Sequence, residues 1–121
     1  MRDFKKLEVW RIARELNKLI YVATKVFPKD EIYGLTSQIR RASVSISSNI
    51  SEGCGRRTSK DFAQFLYNAM GSIKEVECQI FISKDLGYLT SDESDKIFEE
   101  LDKLGRKLNL LIRHVDMEGI K

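Results

Sequence analysis

Apolar residues recur at steps of three and four along most of the chain, which is the period of an amphipathic α-helix. Turn-forming residues interrupt the pattern three times, at Pro28, at residues 53–55 and at Gly87, and both proline and glycine end helices. The pattern therefore predicts four helices, over about residues 3–27, 31–53, 59–86 and 91–115.

The connections between these helices are only a few residues long, and no stretch has the alternating pattern of a strand. Short connections join helices that lie side by side and run in opposite directions. We therefore expect an all-α fold, an antiparallel up-down-up-down four-helix bundle. The length of 121 residues, 42% of them hydrophobic, suits a single domain over residues 1–121.

No run approaches the roughly 20 uninterrupted apolar residues of a membrane helix, and the charged N-terminus does not have the pattern of a secretion signal. These features predict a cytoplasmic protein with no membrane partner. Cys54 and Cys78 are isolated, and His114 is the only histidine. They fit no disulfide framework and no Cys/His metal site, so we expect reduced thiols, no metal and no cofactor.

Charge is distributed unevenly along the chain. Residues 1–60 contain 13 Lys and Arg against 6 Asp and Glu, whereas residues 61–121 contain 8 against 12. The turn between the second and third helices joins flexible glycines to Arg56, Arg57 and Lys60, next to a helix N-terminus. This combination predicts an anion site, and the alternative is an exposed basic linker. The spacing of a nucleotide-binding phosphate loop is absent.

Polar side chains form a second stripe beside the apolar one on two of the helices. They are hydroxyls, amides, single carboxylates and one guanidinium, without long lysines. Such residues are typical of partly buried hydrogen bonding, either between helices of one protomer or between subunits, with Glu52 and Glu75 as candidate partners of Arg41. The stripes consist of Gln38, Arg41, Ser45, Asn49 and Glu52 on the second helix and Gln64, Asn68, Ser72, Glu75 and Gln79 on the third.

Trp10 and Tyr21 share one face of the first helix with Arg14 and Asn17. Aromatic anchors are enriched in protein interfaces, so the two aromatic residues are candidates for contacts with another subunit or a partner. A wide core-facing stripe would bury them equally well, and the sequence does not separate the two interpretations.

Glu52 and Glu75 are also the candidate acid and base of an enzyme, or candidate metal ligands in the bundle. Carboxylate-bridged metal proteins of this architecture use Glu-x-x-His motifs on facing helices, and the sequence contains none. We therefore predict that the chain is not an enzyme and that these carboxylates are structural.

Several motifs occur in the order and spacing of a known family. They are LEVW at residues 7–10, FPKDEIYGL at 27–35, QIRRASVSI at 38–46, NISEG at 49–53 and AMGS at 69–72, followed by Glu75. They resemble the bacterial four-helix-bundle proteins associated with intervening sequences in 23S ribosomal RNA genes. The resemblance spans roughly residues 4–90, and the fourth helix matches only in its pattern of apolar positions.

The resemblance implies a four-helix protomer that assembles as a homo-oligomeric ring, expected to be a pentamer, with no enzymatic activity. A related group, the accessory variability proteins of diversity-generating retroelements, is similar in architecture and binds nucleic acid as a basic pentameric barrel. In such a ring, copies of Arg40, Arg56, Arg57 and Lys60 would add to one basic surface.

The expected ligand is structured RNA or another nucleic acid, bound through its phosphates. We expect little base specificity because the basic turn contains no aromatic residue. The alternative is an assembly protein that binds a protein partner and has no nucleic-acid role.

Overall fold

The computed structural model describes residues 2–120, which form four α-helices and two short 3₁₀ turns. This part of the chain contains no strand, and the predicted all-α class with four helices is confirmed. The 3₁₀ turns, Phe4–Lys6 and Lys29–Glu31, precede the first and second helices. The helices are α1 (Glu8–Thr24), α2 (Leu35–Cys54), α3 (Ser59–Asp85) and α4 (Ser91–Ile120).

α1 is shorter at both ends than the predicted helix over residues 3–27. Asp3 caps the first 3₁₀ turn by accepting a backbone hydrogen bond at 3.1 Å, and an extended residue follows before α1 begins. At the other end, Pro28 has no N–H to donate to the Thr24 carbonyl. The Phe27 N–H donates to that carbonyl instead, at 3.1 Å, so the helix ends in a tighter turn.

α2 begins at Leu35 rather than at the predicted residue 31, because the preceding segment forms a 3₁₀ turn. Glu31 holds this turn in place with both carboxylate oxygens. Oε1 accepts a hydrogen bond from the Leu35 N–H at 3.3 Å, and Oε2 accepts one from the Tyr88 hydroxyl at 2.9 Å. The hydrogen bond between Tyr88 and Glu31 joins the α1–α2 connection to the α3–α4 connection. It is also the main cause that raises the pKa of Tyr88.

α3 begins and ends at residues with strong local preferences. Thr58 caps it by accepting a hydrogen bond from the Asp61 N–H at 3.1 Å. Gly87 follows its last turn with a φ of 77°, a left-handed conformation that glycine adopts without strain. The Gly87 N–H donates to the Lys84 carbonyl and the Tyr88 N–H to the Ser83 carbonyl, which closes a Schellman motif.

α4 begins at the predicted residue but continues past the predicted end at residue 115, to Ile120. Thr90 and Glu93 cap its start reciprocally: Thr90 Oγ1 accepts from the Glu93 N–H at 3.1 Å, and Glu93 Oε1 accepts from the Thr90 N–H at 2.9 Å. The hydrogen bond from the Thr90 N–H is the main cause that lowers the pKa of Glu93. No proline or glycine occurs in the three residues after Val115, the last core residue, and Glu118 in the added turn forms an ion pair with Arg2.

One hydrophobic core takes side chains from all four helices. α1 and α3 each contact both α2 and α4, so each helix has two neighbours, and no helix within residues 2–120 has the length and apolar character to cross a membrane. The α2–α3 connection lies at the same end of the bundle as the N-terminal segment and the end of α4. The largest fully buried side chains are Phe62, Leu16, Ile20, Ile39, Ile46, Ile50, Leu66, Ile73, Ile80, Ile97, Leu101 and Leu104.

Candidate nucleic-acid interface

The α2–α3 connection displays cations at one end of the bundle. Arg56, Arg57 and Lys60 are all exposed, and no carboxylate within residues 2–120 forms an ion pair with any of them. The N-terminus of α3 lies at the same end, and the positive end of its helix dipole adds to the field of the three side chains. The predicted anion site is therefore a group of exposed cations, which we call the basic turn (residues 56–60).

Aromatic rings from α3 lie beneath this turn. The guanidinium carbon of Arg56 lies 4.4 Å from the centre of the Phe65 ring, a distance at which a cation is attracted to the face of the ring. Gly53 makes the close approach of α2 and α3 possible, because a Cβ there would lie 2.8 Å from Phe62 Cδ1 and 3.0 Å from Phe65 Cβ. The turn itself contains no aromatic residue, but α3 supplies one.

Arg2 adds a fourth cation that sequence reasoning missed. Its backbone N–H donates to the Cys54 carbonyl at 3.1 Å, and its guanidinium carbon lies 4.5 Å from the centre of the Phe62 ring. It also forms an ion pair with Glu118 at the end of α4. All three contacts are tertiary, so no local sequence pattern identifies this residue.

Both cysteines are free thiols, Cys54 buried and Cys78 exposed. Burial raises the pKa of Cys54, and the nearby Arg2 opposes this increase. A thiol with a raised pKa stays protonated and is a poor nucleophile. Cys54 therefore contributes to packing beneath the basic turn.

Arg40 lies apart from the basic turn. It precedes Cys54 by nearly four turns of α2, about 21 Å along the axis at 1.5 Å per residue. Its Nε donates to Thr24 Oγ1 at 2.9 Å, and its guanidinium carbon lies 4.7 Å from the centre of the Tyr21 ring. Within one protomer, the structure brings together three of the four predicted cations and holds Arg40 against α1.

The polar stripes of α2 and α3 face each other within the protomer. Arg41 Nη2 donates to Glu75 Oε2 at 3.0 Å and to Gln38 Oε1 at 3.0 Å. The hydroxyls of Ser45 and Ser72 form a hydrogen bond of 3.0 Å. Of the two candidate partners of Arg41, the structure therefore selects Glu75.

The other stripe residues make mostly local contacts. Asn49 Nδ2 donates to the Ser45 carbonyl at 2.8 Å, and Asn68 Oδ1 accepts from Gln64 Nε2 at 3.3 Å. Glu52 is exposed, and its carboxylate accepts no hydrogen bond from residues 2–120. The stripes thus combine one inter-helix network with several single-helix contacts.

The two predicted interface aromatics have different surroundings. Trp10 is half-buried, with its ring edge-on to Phe4 at a centroid distance of 4.9 Å, and Arg14 lies 5.5 Å from it. Tyr21 is 40% exposed and carries Arg40 on one face. Trp10 thus packs mainly against the N-terminal 3₁₀ turn, whereas Tyr21 keeps part of its ring at the surface.

A model of the family described as 23S rRNA-intervening sequence protein matches residues 5–110. The chain belongs to this family. The match extends beyond the expected residues 4–90 and includes most of α4. A search of curated proteins finds no match.

A crystal structure of an S23 ribosomal protein family member from Bacteroides thetaiotaomicron, described as a protein of unknown function, has a similar fold. The TM-score is 0.78 at 20% identity, over 86% of this chain and 97% of that chain. At this identity the likeness concerns the fold alone, and it supports the four-helix arrangement.

The carboxylates of this member of the 23S rRNA-intervening sequence protein family are dispersed or paired with cations. Glu75 accepts from Arg41, and Glu8 pairs with Lys107 at 2.6 Å, which lowers the pKa of Glu8. Within residues 2–120, no three His, Cys, Asp or Glu side chains are grouped so that they could hold a metal ion.

Proposed function

We propose that this family member is a non-catalytic protein that binds structured RNA through the phosphates of the ligand. The observation that carries the proposal is the basic turn, in which Arg56, Arg57 and Lys60 are exposed and form no ion pair with residues 2–120. Cations that are not already paired can replace the counterions of a phosphate backbone. The family description refers to 23S ribosomal RNA, which favours RNA over DNA as the ligand. Binding of such an RNA implies a cytoplasmic location.

The proposed protomer has the up-down-up-down topology. Arg41 of α2 contacts Glu75 of α3, and Ser45, one turn later in α2, contacts Ser72, one turn earlier in α3. This order supports an antiparallel arrangement of the two helices. The basic turn then lies at the end of the bundle that has no other helix connection, next to the chain termini.

The proposed assembly is a homo-oligomeric ring, with five subunits as the expected number. Large apolar side chains at the C-terminal end of α1 and in the α1–α2 connection support a protein contact there: Val22 is 62%, Val26 74% and Tyr33 94% exposed. The basic first half and the acidic second half of the chain favour a head-to-tail contact, as in a ring. The polar stripes are engaged within the protomer, so we propose the apolar residues as the subunit contact.

Light scattering coupled to size exclusion tests the assembly. A ring requires a mass several times the 14.0 kDa of the protomer. A monomer at micromolar concentration would contradict the ring, and the basic turn would then act as a single copy.

RNA binding is tested by measuring the affinity of a fluorescent structured RNA across a salt series. The Arg56→Gln/Arg57→Gln variant should bind more weakly, and the slope of log affinity against log salt should fall by about one for each phosphate that the two arginines neutralise. Lys84→Gln/Lys96→Gln removes the same charge from exposed positions near the opposite end of the bundle and serves as the matched control.

Equally weakened binding in both variants would mean that binding follows net charge rather than the basic turn. No binding by the native protein at low salt would contradict the RNA-binding role. It would favour the alternative, a protein-assembly role carried by the exposed apolar residues at the end of α1 and in the α1–α2 connection.

A further inference from the structure

A polar cleft opens beside the basic turn, between the start of α3 and the end of α4. Its volume is about 300 Å³, at the lower end of the range of small-ligand pockets. The buried side chains of Ala63 and Val115 form its apolar floor, and Lys60, Gln64 and Asp116 are among its polar lining residues. Lys60 belongs to both the cleft and the basic turn, so the two surfaces are continuous.

Tyr67 provides an aromatic wall of this cleft. The side chain is 52% exposed, and its hydroxyl donates to Asp116 Oδ2 at 3.1 Å. This bond fixes the ring at the mouth of the cleft with part of its surface open to solvent. An exposed, oriented aromatic face next to cations is the arrangement on which proteins stack unpaired bases.

The hydrogen-bonding groups of the cleft select among bases. Asp116 Oδ1 accepts no hydrogen bond from residues 2–120, and an ionised carboxylate only accepts hydrogen bonds. Gln64 uses one N–H for Asn68, at 3.3 Å, and keeps a second N–H. A carboxylate and an amide donor that line one cleft match an exocyclic amino group next to a ring nitrogen acceptor, which adenine and cytosine present on their Watson–Crick edges. Guanine presents two N–H donors there, which would leave the amide donor facing an N–H. Uracil instead presents one N–H between two carbonyl oxygens, and these oxygens repel a carboxylate.

We propose that this cleft binds one unpaired adenine or cytosine of an RNA whose backbone lies on the basic turn, an inference that rests on the proposed RNA-binding function. The base stacks on Tyr67, its amino group donates to Asp116 Oδ1, and Lys60 contacts the adjoining phosphate. Phosphate contacts alone give no base preference, so the cleft adds specificity that the basic turn lacks.

Hairpins with one common stem and loops of adenine, cytosine or uracil test the proposal, with the loopless stem duplex as a further ligand. The native protein should bind the adenine and cytosine loops about tenfold more tightly than the uracil loop, the discrimination expected of one charge-assisted hydrogen bond. Asp116→Asn should remove this preference.

Two aromatic variants separate stacking from general effects. Tyr67→Ala should weaken loop binding about tenfold, the effect of removing one stacked base, and leave duplex binding unchanged. Phe81→Ala removes a ring that is 53% exposed near the other end of α3 and should change neither. Unfolding midpoints measured beside the binding curves show that each variant is folded.

The outcomes distinguish the two proposals. Equal binding of all three loops by the native protein, or loop binding unchanged in both Tyr67→Ala and Asp116→Asn, would overturn the cleft. The basic turn would stand if the salt dependence still fell in the arginine variant. Failure of the native protein to bind any hairpin or duplex would overturn both.

Discussion

Replacing Gly53 with alanine tests whether the close approach of α2 and α3 is a real constraint on the fold. The added Cβ would lie 2.8 Å from Phe62 Cδ1, and Phe62 is fully buried, so the ring has no free space to move into. Overpacking of this kind costs about 1–3 kcal/mol. Alanine also gains about 1 kcal/mol over glycine within a helix. We therefore expect Gly53→Ala to range from neutral to about 2 kcal/mol less stable than the native protein.

Gly71→Ala is the matched control because it makes the same chemical change inside α3. A Cβ at Gly71 would meet nothing within 4 Å, so only the helix preference remains, and the variant should be about 1 kcal/mol more stable. The difference between the two variants isolates the cost of overpacking and should be about 1–3 kcal/mol. Urea unfolding measures the stability of both variants. The protein concentration is kept the same in the two experiments, because the proposed assembly would make stability depend on concentration. Equal stability of the two variants would show that a side chain at residue 53 fits between α2 and α3 without overpacking.

Three further predictions concern the core, the cap of α4 and the cleft. Leu104→Ala removes a fully buried side chain and should lower the free energy of unfolding by about 2–5 kcal/mol in the same urea assay. Thr90→Ala should cost about 1 kcal/mol, because the Glu93 N–H loses its cap. The backbone N–H of residue 90, the main cause that lowers the pKa of Glu93, remains in this variant, so the difference should change little as the pH falls through the carboxylate range. The hydrogen bond to Asp116 raises the pKa of Tyr67, so ultraviolet titration of Asp116→Asn should show one tyrosine ionising at lower pH, and an unchanged titration would contradict that bond.

The features that the sequence predicted well are those set by local chemistry. The apolar period identified four helices, and Thr58 and Gly87 mark the bounds of α3 because capping and left-handed turns depend on residue type. The errors at the starts of α1 and α2 have a common cause. Hydrogen bonds in the segments before these helices, such as those of Asp3 and Glu31, stabilise 3₁₀ turns in place of the first predicted helical turns. The spacing of apolar residues does not distinguish a 3₁₀ turn from the first turn of an α-helix.

The candidate site was predicted only in part because most of its contacts are tertiary. The exposed cations of the basic turn were visible as a run of charges. Their aromatic support was not, since Phe65 reaches Arg56 only after α3 folds back against α2. Asn17 is a second example: it hydrogen-bonds Ser43 at 2.7 Å and Ser47 at 3.0 Å across α1 and α2, although the sequence suggested only that it shares a face with Trp10.

The stacking of arginine on aromatic rings connects the packing of the bundle to the proposed function. A free arginine side chain loses about 1.5–2 kcal/mol of conformational entropy when it becomes ordered. The contact with Phe65 already restricts the Arg56 side chain before any ligand binds. The face of the guanidinium packs on the ring, and its N–H groups at the edge can still donate to a phosphate. Arg57 and Lys60 form no such stack within residues 2–120. The number of charges therefore sets the salt dependence of binding. The ring beneath Arg56 instead lowers the entropy that this side chain loses when it binds a phosphate, and so makes the Arg56–phosphate contact more favourable.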